Sequence, residues 1–414
     1  MQLPEEFITY TSSLFGPHRW QQFLNSLNEP APVSIRFNPF KYRQEHLFPG
    51  TIPVPWCKQG VWLEDRPFFT LDPLFHAGVY YVQEAGSLFL DHILRHWIKT
   101  PVSVLDLCAA PGGKSTLLRA ALPAGSVLVC NEPDRRRANI LLENMLKQGH
   151  PDVLVTHNYP QELAKTNLIF DVLLADVPCS GEGLFRRDPE SIREWNVQNV
   201  HFCQDRQRKI LRDSWNCLRQ GGLLIYSTCT FNVHENEENV RWICEELGAE
   251  VLSVPTELSW NITGSLLSDW NQPVYRFIPG ITQTEGLFMA VLRKTSTGAA
   301  RATLPNSLRE QAHKARILHI LSDGIPKYEQ KGKEMIPTTA QALSIDLPKQ
   351  NYPCVDVSLE QAQRYLHRES FSLPPGTPRG FVIVTYQKHP LGFMKNLGDR
   401  ANNLYPKNWA IKKL

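Results

Sequence analysis

Short apolar runs alternate with helical stretches from about residue 100 onward, and this alternation constrains the fold more than any other feature. Continuously apolar runs are typical of strands that are covered on both faces of a parallel sheet. The runs are Val102–Leu107, Val127–Cys130, Phe170–Ala175, Leu223–Ser227 and a closing Leu287–Leu292, with helices expected at Lys114–Ala121, Arg135–Lys147, Phe202–Leu218 and Glu235–Glu246. The sequence therefore predicts an α/β fold built on a mostly parallel sheet.

The chain has 414 residues, more than a single hydrophobic core usually serves, so several domains are expected. Residues 1–70 mix short apolar runs with prolines and predict a small N-terminal α/β domain that binds RNA. The alternating pattern fills residues 71–295. Small polar residues then predict a linker region at 296–335, and residues 336–414 predict a β-rich C-terminal domain.

Nine cysteines are present and no two are spaced C-x-x-C. An odd count without that spacing argues against zinc ribbons and disulfide scaffolds, so no metal site is expected. Free thiols are typical of proteins in the reducing cytosol. The sequence shows no apolar run of about 18 residues, so a membrane-spanning helix is not expected. It also shows no basic segment followed by an apolar stretch, so a signal peptide is not expected. We therefore expect a cytoplasmic protein with no membrane association.

Basic residues accumulate at the C-terminal end. Between Arg379 and Lys413 there are seven Lys or Arg against one acid, Asp399. Such an excess can follow the phosphates of a nucleic acid, although a solvated tail gives the same pattern.

The segment 104–115 reads VLDLCAAPGGKS, a strand followed by a loop of small residues and a helix. Neither G-x-G-x-x-G nor a Walker spacing is present, so a pyrophosphate or triphosphate ligand is not favoured. Glu132 follows the next apolar run, where an acid can accept hydrogen bonds from ribose hydroxyls. A ribose-bearing ligand without a pyrophosphate fits S-adenosyl-L-methionine; the alternative is an ordinary tight turn with a surface acid.

Two cysteines fall at the carboxyl ends of predicted strands, on the rim that carries this loop. Cys179 lies in Asp176–Cys179, and Cys229 lies in Ser227–Thr230, whereas Cys203, Cys217 and Cys244 lie in helical stretches and are expected in the core. Methylation at carbon 5 of cytosine needs a thiolate, because addition to carbon 6 makes carbon 5 nucleophilic.

Charged residues beside the predicted pocket fit the same chemistry. Asp176 can hydrogen-bond the cytosine edge, and Lys114 can place a positive charge near it; a capping acid and a solvated lysine are the alternatives. A base must leave its stack to reach such a pocket, so single-stranded or loop RNA is the expected substrate. Arg186, Arg187 and Arg193 either hold the flanking backbone or form a solvated face.

Three motifs resemble the RNA 5-methylcytosine methyltransferases of the Sun (Nol1/Nop2/Sun) family: CAAPGGK at 108–114, DVPCSGEG at 176–183 and STCTFNVHENEENV at 227–240. The resemblance covers about residues 70–295 and implies a Rossmann-like methyltransferase domain that uses S-adenosyl-L-methionine. The C-terminal residues 389–412 resemble the PUA-like RNA-binding end of a bacterial branch that methylates small-subunit ribosomal RNA. Membership of that branch would imply that the partner of this chain is RNA, with ribosomal RNA expected. We also expect the chain to be a monomer.

The resemblance also implies roles for individual residues. The resemblance implies that Cys229, in the Thr-Cys motif, is the nucleophile. It implies that Cys179, in the Pro-Cys motif, assists product release or proton removal. Asp176 and Lys114 complete the catalytic set. The residues implied for the cofactor are Cys108, Ala109, Ala110, Pro111, Gly112, Gly113, Lys114, Glu132, Asn158 and Asp176. Asn158 departs from the family, which often has an aspartate there.

Three alternatives remain at this stage. The first is the same chemistry on tRNA, and the second is a ribosome-assembly RNA-binding factor without catalysis, which the intact Cys229, Cys179, Lys114 and Asp176 disfavour. The third is a nicotinamide oxidoreductase, disfavoured by the missing G-x-G-x-x-G.

Overall fold

The computed structural model describes residues 2–42, 48–347 and 351–412. The N-terminal unit has a long helical segment that is broken at Gly16, a short second helix and a small antiparallel sheet of order β2-β3-β1-β4. Its elements are α1 (Glu5–Ser26), β1 (Val33–Phe37), β2 (Ile52–Pro53), β3 (Gly60–Leu63), α2 (Pro73–His76) and β4 (Tyr80–Val82). Because β4 belongs to this sheet, the unit extends past the expected limit at residue 70.

The central unit alternates strands and helices as the apolar pattern predicts. Helices α3 to α9 are Phe89–Trp97, Gly113–Ala121, Arg135–Gln148, Pro160–Ala164, Pro189–Glu194, Val197–Ser214 and Glu237–Trp242. Strands β5 to β12 are Ser103–Asp106, Val127–Asn131, Val153–Thr156, Phe170–Asp176, Leu218–Thr228, Ala249–Leu252, Val274–Phe277 and Leu287–Lys294. The α-helix expected over Glu235–Glu246 ends at Trp242, and a π-helix continues it to Gly248.

Within the described ranges, nine strands form the central sheet, in the order β10-β12-β9-β8-β5-β6-β7-β13, where β13 is Ile320–Asp323 and β11 is paired to β12. Strands β5 to β9 are parallel, and β12 runs antiparallel to β9. Apolar side chains cover both faces in two separate clusters, which explains the continuous apolar runs. The predicted Rossmann-like α/β fold is confirmed.

The region expected to be a linker carries regular structure instead. Helix α10 (Pro305–Lys314) buries Leu308 and Ala312 against the central sheet, and β13 (Ile320–Asp323) extends that sheet antiparallel to β7. A hairpin of β14 (Tyr328–Lys331) and β15 (Glu334–Pro337) follows. The polar composition reflects exposure of one face of α10 and most of the hairpin rather than an absence of structure.

The C-terminal unit is β-rich, as predicted. It contains α11 (Thr339–Leu343), β16 (Cys354–Asp356), α12 (Leu359–Leu366), β17 (Gly380–Tyr386), β18 (His389–Asn396) and β19 (Ala401–Asn403), with sheet order β16-β17-β18-β19. Its apolar side chains share one cluster with the N-terminal sheet, and Lys147 of α5 lies over the Trp409 ring at 5.4 Å. The two flanking units therefore pack on each other and on the central unit.

Every helix in the described part of the chain is too short or too polar to cross a bilayer.

Candidate active site

The carboxyl ends of β5, β8 and β9 lie side by side at one rim of the central sheet. Asp106 pairs with Leu174 across β5 and β8, and Asp176 pairs with Ser227 across β8 and β9. The three loops that follow carry the three sequence motifs, so the motifs meet at one place. Ligands of open α/β sheets bind at this rim.

A cavity of ≈190 Å³ opens beside the first of these loops. One wall is the segment after β5 and the other is the end of the N-terminal sheet, so both units build the cavity. Its lining residues are Tyr81, Val82, Gln83, Glu84, Ser87, Asp106, Cys108, Ala109, Ala110, Pro111, Gly113, Lys114 and Asp176. Most of the predicted cofactor residues are in this set.

Gly112 does not line the cavity but makes its loop possible. It precedes α4 with φ 115, a left-handed conformation that a side chain strongly disfavours. The peptide bond between Ala110 and Pro111 is cis. Small residues along this loop leave the backbone open to a ligand.

Three buried polar atoms of this region have no hydrogen-bond partner in the described part of the chain, and two of them belong to cavity-lining side chains, Gln83 and Asp106. These are Nε2 of Gln83, Oδ1 of Asp106 and Oε2 of Glu132, on side chains that are 7%, 0% and 1% exposed. Burial raises the pKa of Asp106 to about 7, opposed by a hydrogen bond from Ser115. Buried polar groups are normally satisfied, so these atoms fit a ligand with both donors and acceptors.

Glu132 lies just past the end of β6, as predicted. Its Oε1 accepts a hydrogen bond from the Asp134 amide at 3.0 Å, and Arg137 approaches Oε2 only to 3.6 Å. Oε2 accepts no hydrogen bond from the described residues, so it can accept one from a ribose hydroxyl; Glu132 itself is not among the residues that line the cavity. The residues present thus fit S-adenosyl-L-methionine, the cofactor expected from the sequence.

The Asn158 side chain is bonded within the chain, and its predicted contact with the cofactor stays a prediction. Its Nδ2 donates to Glu162 Oε2 and to the Ile317 carbonyl, and its Oδ1 accepts from the His319 amide. It is absent from the cavity wall, and these bonds tie β7 to the segment before β13. Asn158 therefore holds the sheet edge.

Lys114 and Asp176 meet at the mouth of the cavity. Nζ of Lys114 lies 2.8 Å from Oδ2 of Asp176, whose Oδ1 accepts from the Ser227 hydroxyl at 2.6 Å. Burial opposes the charge on Lys114, but Asp176 outweighs it and raises the pKa of the lysine above its ordinary value. The ammonium is therefore held in place and charged beside the Cys229 loop.

Cys179 and Cys229 face each other at the ends of β8 and β9. Their Sγ atoms are 3.0 Å apart, both thiols are reduced and half-buried, and the Cys229 amide donates to Cys179 Sγ at 3.4 Å. The hydrogen bond with Cys229 and burial raise the pKa of Cys179 well above its ordinary range. Cys179 thus keeps its proton beside its partner.

Four of the other cysteines lie at positions that do not suit a nucleophile. Cys203 and Cys217 are buried in the core, and Cys244 packs half-buried against it, as expected. Cys108 is in the cavity wall, and burial raises the pKa of its thiol, which makes it an apolar wall residue rather than a nucleophile.

The three arginines after the Pro-Cys motif differ from one another. Arg186 is buried and donates to Glu285 and to the Thr284 and Ser26 carbonyls, so its role is to join the N-terminal and central units. Arg187 is exposed and also pairs with Glu285, and Arg193 is exposed beside Glu190. The Arg186 guanidinium is therefore engaged by contacts within the chain.

Sequence reasoning missed Asp106, Gln83, Glu182 and Glu235. Asp106 is the last residue of β5, just before the cofactor loop. An acidic residue at the end of an otherwise apolar buried strand is the signal that could have identified it. The two glutamates lie inside the second and third motifs, and their contacts are described below.

Three family models match the chain. The model of the 16S rRNA methyltransferase RsmB/F matches residues 99–293, that of the N-terminal domain of 16S rRNA methyltransferase RsmF matches residues 3–85, and that of the methyltransferase RsmF PUA domain matches residues 352–411.

Curated relatives span nearly the whole chain. The ribosomal RNA small subunit methyltransferase F of Salmonella agona is 28% identical over 98% of this chain and 96% of its own length, and that of Cronobacter sakazakii is 29% identical over the same shares.

Solved structures share the fold. A methyltransferase homologue from Pyrococcus horikoshii is 26% identical over 70% of this chain and 100% of its own, with a TM-score of 0.58. NSun6 from the same organism, solved with SFG, is 20% identical over 71% and 98%, with a TM-score of 0.60.

Proposed function

Because the chain belongs to the RsmF-like Sun family of 16S rRNA methyltransferases, we propose that it methylates carbon 5 of a cytosine in small-subunit ribosomal RNA. Bound S-adenosyl-L-methionine supplies the electrophilic methyl group. The observation that supports this choice of atom is the pair of thiols, Cys179 and Cys229, whose sulfur atoms lie 3.0 Å apart at adjacent strand ends.

Carbon 5 of cytosine is a weak nucleophile, whereas an exocyclic nitrogen or a ribose hydroxyl needs no covalent help. We assign the nucleophile to Cys229, whose thiolate adds to carbon 6 so that carbon 5 becomes enamine-like. After methylation the proton on carbon 5 is removed, and elimination returns the Cys229 thiolate and the modified base. Atoms balance, because the methyl group replaces that proton.

Cys179 has a different part in this proposal. Its raised pKa keeps a proton on Sγ at neutral pH, 3.0 Å from the sulfur that carries the adduct. A neutral thiol there does not compete as a nucleophile, and its S–H can donate a hydrogen bond to the Cys229 sulfur as that sulfur leaves carbon 6, which assists release of the product.

Lys114 and Asp176 orient the base and the cofactor's reactive end. Their ion pair at the cavity mouth supplies a fixed charge and a fixed acceptor next to the thiols. The cofactor's ribose is assigned to Glu132, and the loop Cys108–Lys114 forms the wall. We leave Asn158 out of this set.

The C-terminal unit is the proposed RNA contact besides the site. Arg379, Arg400, Lys407 and Lys412 are exposed there, whereas Lys388 pairs with Asp356 and Lys395 with Glu334; Lys413 lies outside the described residues. Basic side chains on such a surface bind phosphates without reading the sequence. We expect the chain to act as a monomer in the cytoplasm.

The test uses small-subunit RNA that carries tritium at carbon 5 of its cytosines. Methylation at carbon 5 releases tritium to water in step with methyl incorporation, and methylation at nitrogen or ribose releases none. Incorporation without release would overturn the proposed chemistry. Release from tRNA but not from ribosomal RNA would overturn the proposed substrate.

A further inference from the structure

Two acidic side chains lie beneath the cysteine pair, and the chemistry above does not use them. Glu182 is three residues after Cys179, and Glu235 is six residues after Cys229. They are 1% and 0% exposed and belong to neither wall of the cofactor cavity. Two buried carboxyl groups so close to a reacting centre need a reason.

Glu182 reaches from its own loop to the loop of the other cysteine. Its Oε2 accepts hydrogen bonds from the amides of Phe231 and Asn232 at 2.5 and 3.0 Å. Its Oε1 accepts from Trp195 Nε1 at 2.9 Å and from Asn232 Nδ2 at 3.0 Å. The amides that it holds are two and three residues after Cys229.

Glu235 reaches in the opposite direction. Its Oε2 lies 3.1 Å from the amide of Ser180, which follows Cys179 directly, and 2.6 Å from Gln207 Nε2. Its Oε1 accepts from Asn232 Nδ2 at 2.8 Å. A glutamate from each cysteine loop thus accepts a hydrogen bond from the backbone of the other loop. The side-chain Nδ2 of Asn232 donates to both glutamates.

The backbones of the two loops also touch directly. The Gly183 amide donates to the Cys229 carbonyl at 2.8 Å, and a Cβ on Gly183 would lie 2.9 Å from that carbonyl oxygen. The hydroxyls of Ser180 and Thr230 are 2.9 Å apart. The two loops therefore form one unit whose spacing is set by short polar contacts.

Two buried carboxyl groups so close together lower the free energy of unfolding when both are charged. Burial and the neighbouring Glu182 raise the pKa of Glu235 to about 7. Both carboxyl groups receive hydrogen bonds from N–H donors. Even so, a buried carboxylate without a neighbouring cation is less stabilising than an apolar side chain of similar volume. Directional hydrogen bonds fix the spacing of two loops more narrowly than apolar contacts do.

We infer that Glu182 and Glu235 are positioning residues that hold Cys179 Sγ and Cys229 Sγ at the separation the reaction needs. The inference rests on the proposed function in taking these two thiols as the reacting pair. A Glu→Gln substitution at either position replaces one carboxylate oxygen, which accepts hydrogen bonds, by an NH₂ group, which donates them. That NH₂ group would face the N–H groups that now donate to the glutamate. The loops then separate, although neither glutamate touches substrate.

The test measures the thiol separation without RNA or cofactor. Dibromobimane becomes strongly fluorescent when it bridges two nearby thiols, and Cys179→Ala gives the background from other cysteines. Glu182→Gln and Glu235→Gln should slow bridging about tenfold or more, since displacements near 1 Å have effects of that size. Asp171→Asn removes a carboxylate at the opposite end of β8, and it should leave the rate unchanged.

Methylation kinetics give the second readout. For both Gln variants kcat should fall about tenfold or more while the Kd for S-adenosyl-L-methionine stays within about twofold, because the cavity wall is intact. If a Gln variant does not fold, Trp195→Phe removes a single bond to Glu182 and should slow bridging about two- to threefold.

Folded variants that bridge and methylate at the wild-type rate would overturn the inference. Slow bridging in the variants, with no tritium release by the wild type, would overturn the proposed function and leave the positioning role standing.

Discussion

Nζ of Lys114 lies 2.8 Å from Oδ2 of Asp176, although the two residues are 62 positions apart in the chain. The lysine comes from the first turn of α4 and the aspartate from the end of β8. Their ion pair joins the cofactor loop to the cysteine loops, so a single contact connects the two halves of the site.

Lys114→Met and Asp176→Asn should each lower kcat by about 10²-fold or more, because a fixed charge beside the reacting base is lost. Asp176→Asn should also lower the melting temperature, since it leaves a buried ammonium without its partner. Steady-state kinetics and thermal unfolding measure both effects. The pair of exposed Lys209 and half-buried Asp213, on α8, is the control, and Asp213→Asn should change neither. An unchanged kcat in both site variants would contradict the assignment.

The strand ends of this site could be predicted from the sequence because their signals are local. Buried parallel strands give continuous apolar runs, and each of the motifs begins where a run ends. Cys108, Asp176 and Cys229 are therefore placed on one rim by connectivity alone. The confirmed Rossmann-like fold rests on the same local pattern.

The remaining features depend on contacts between distant residues. Asn158 is bound to Ile317 and His319, about 160 positions away, and no local pattern reports this. Helix α10 and β13 were expected to be linker because their exposed faces are polar. Likewise, the packing of the C-terminal sheet on the N-terminal sheet follows from apolar faces that the sequence does not pair.

Glu132 and Asn158 make opposite predictions for cofactor binding. Glu132→Ala should weaken binding of S-adenosyl-L-methionine about tenfold or more, the value of one or two hydrogen bonds to a charged group. Asn158→Ala should leave that Kd within about twofold and lower the melting temperature, because it frees the segment before β13. Calorimetric titration and thermal unfolding separate the two. The reverse ranking would return Asn158 to the cofactor site.

Glu235 should give stability a distinct pH dependence. Its pKa is raised by burial and by Glu182 to about 7 in the folded chain, against 4.5 ordinarily, so the folded state binds more protons between these values. Stability relative to Glu235→Gln should therefore fall by about 2–3 kcal/mol as pH rises from about 4.5 to 7. Cys179 and Tyr226, also near Glu235, stay protonated in this window. Urea unfolding of both proteins at several pH values measures the difference, and a flat or rising difference would contradict it.

The basic C-terminal surface should determine the salt dependence of RNA binding. Arg379, Arg400 and Lys407 are exposed, and replacing all three by Gln should weaken binding and reduce the slope of log K against log salt by about 0.7–0.9 per lost phosphate contact. Lys314→Gln, on α10 and paired with Glu310, is the matched control. An unchanged slope in the triple variant would remove this surface from the RNA interface.

The two cysteines offer the most direct test of covalent catalysis. Cys179→Ala and Cys229→Ala are each mixed with small-subunit RNA and S-adenosyl-L-methionine, then separated on a denaturing gel. A shifted, nuclease-sensitive band is expected for Cys179→Ala alone, since Cys229 can form the adduct but its release is impaired. A band for Cys229→Ala alone would contradict the assigned roles, and no band for either variant would contradict the covalent mechanism.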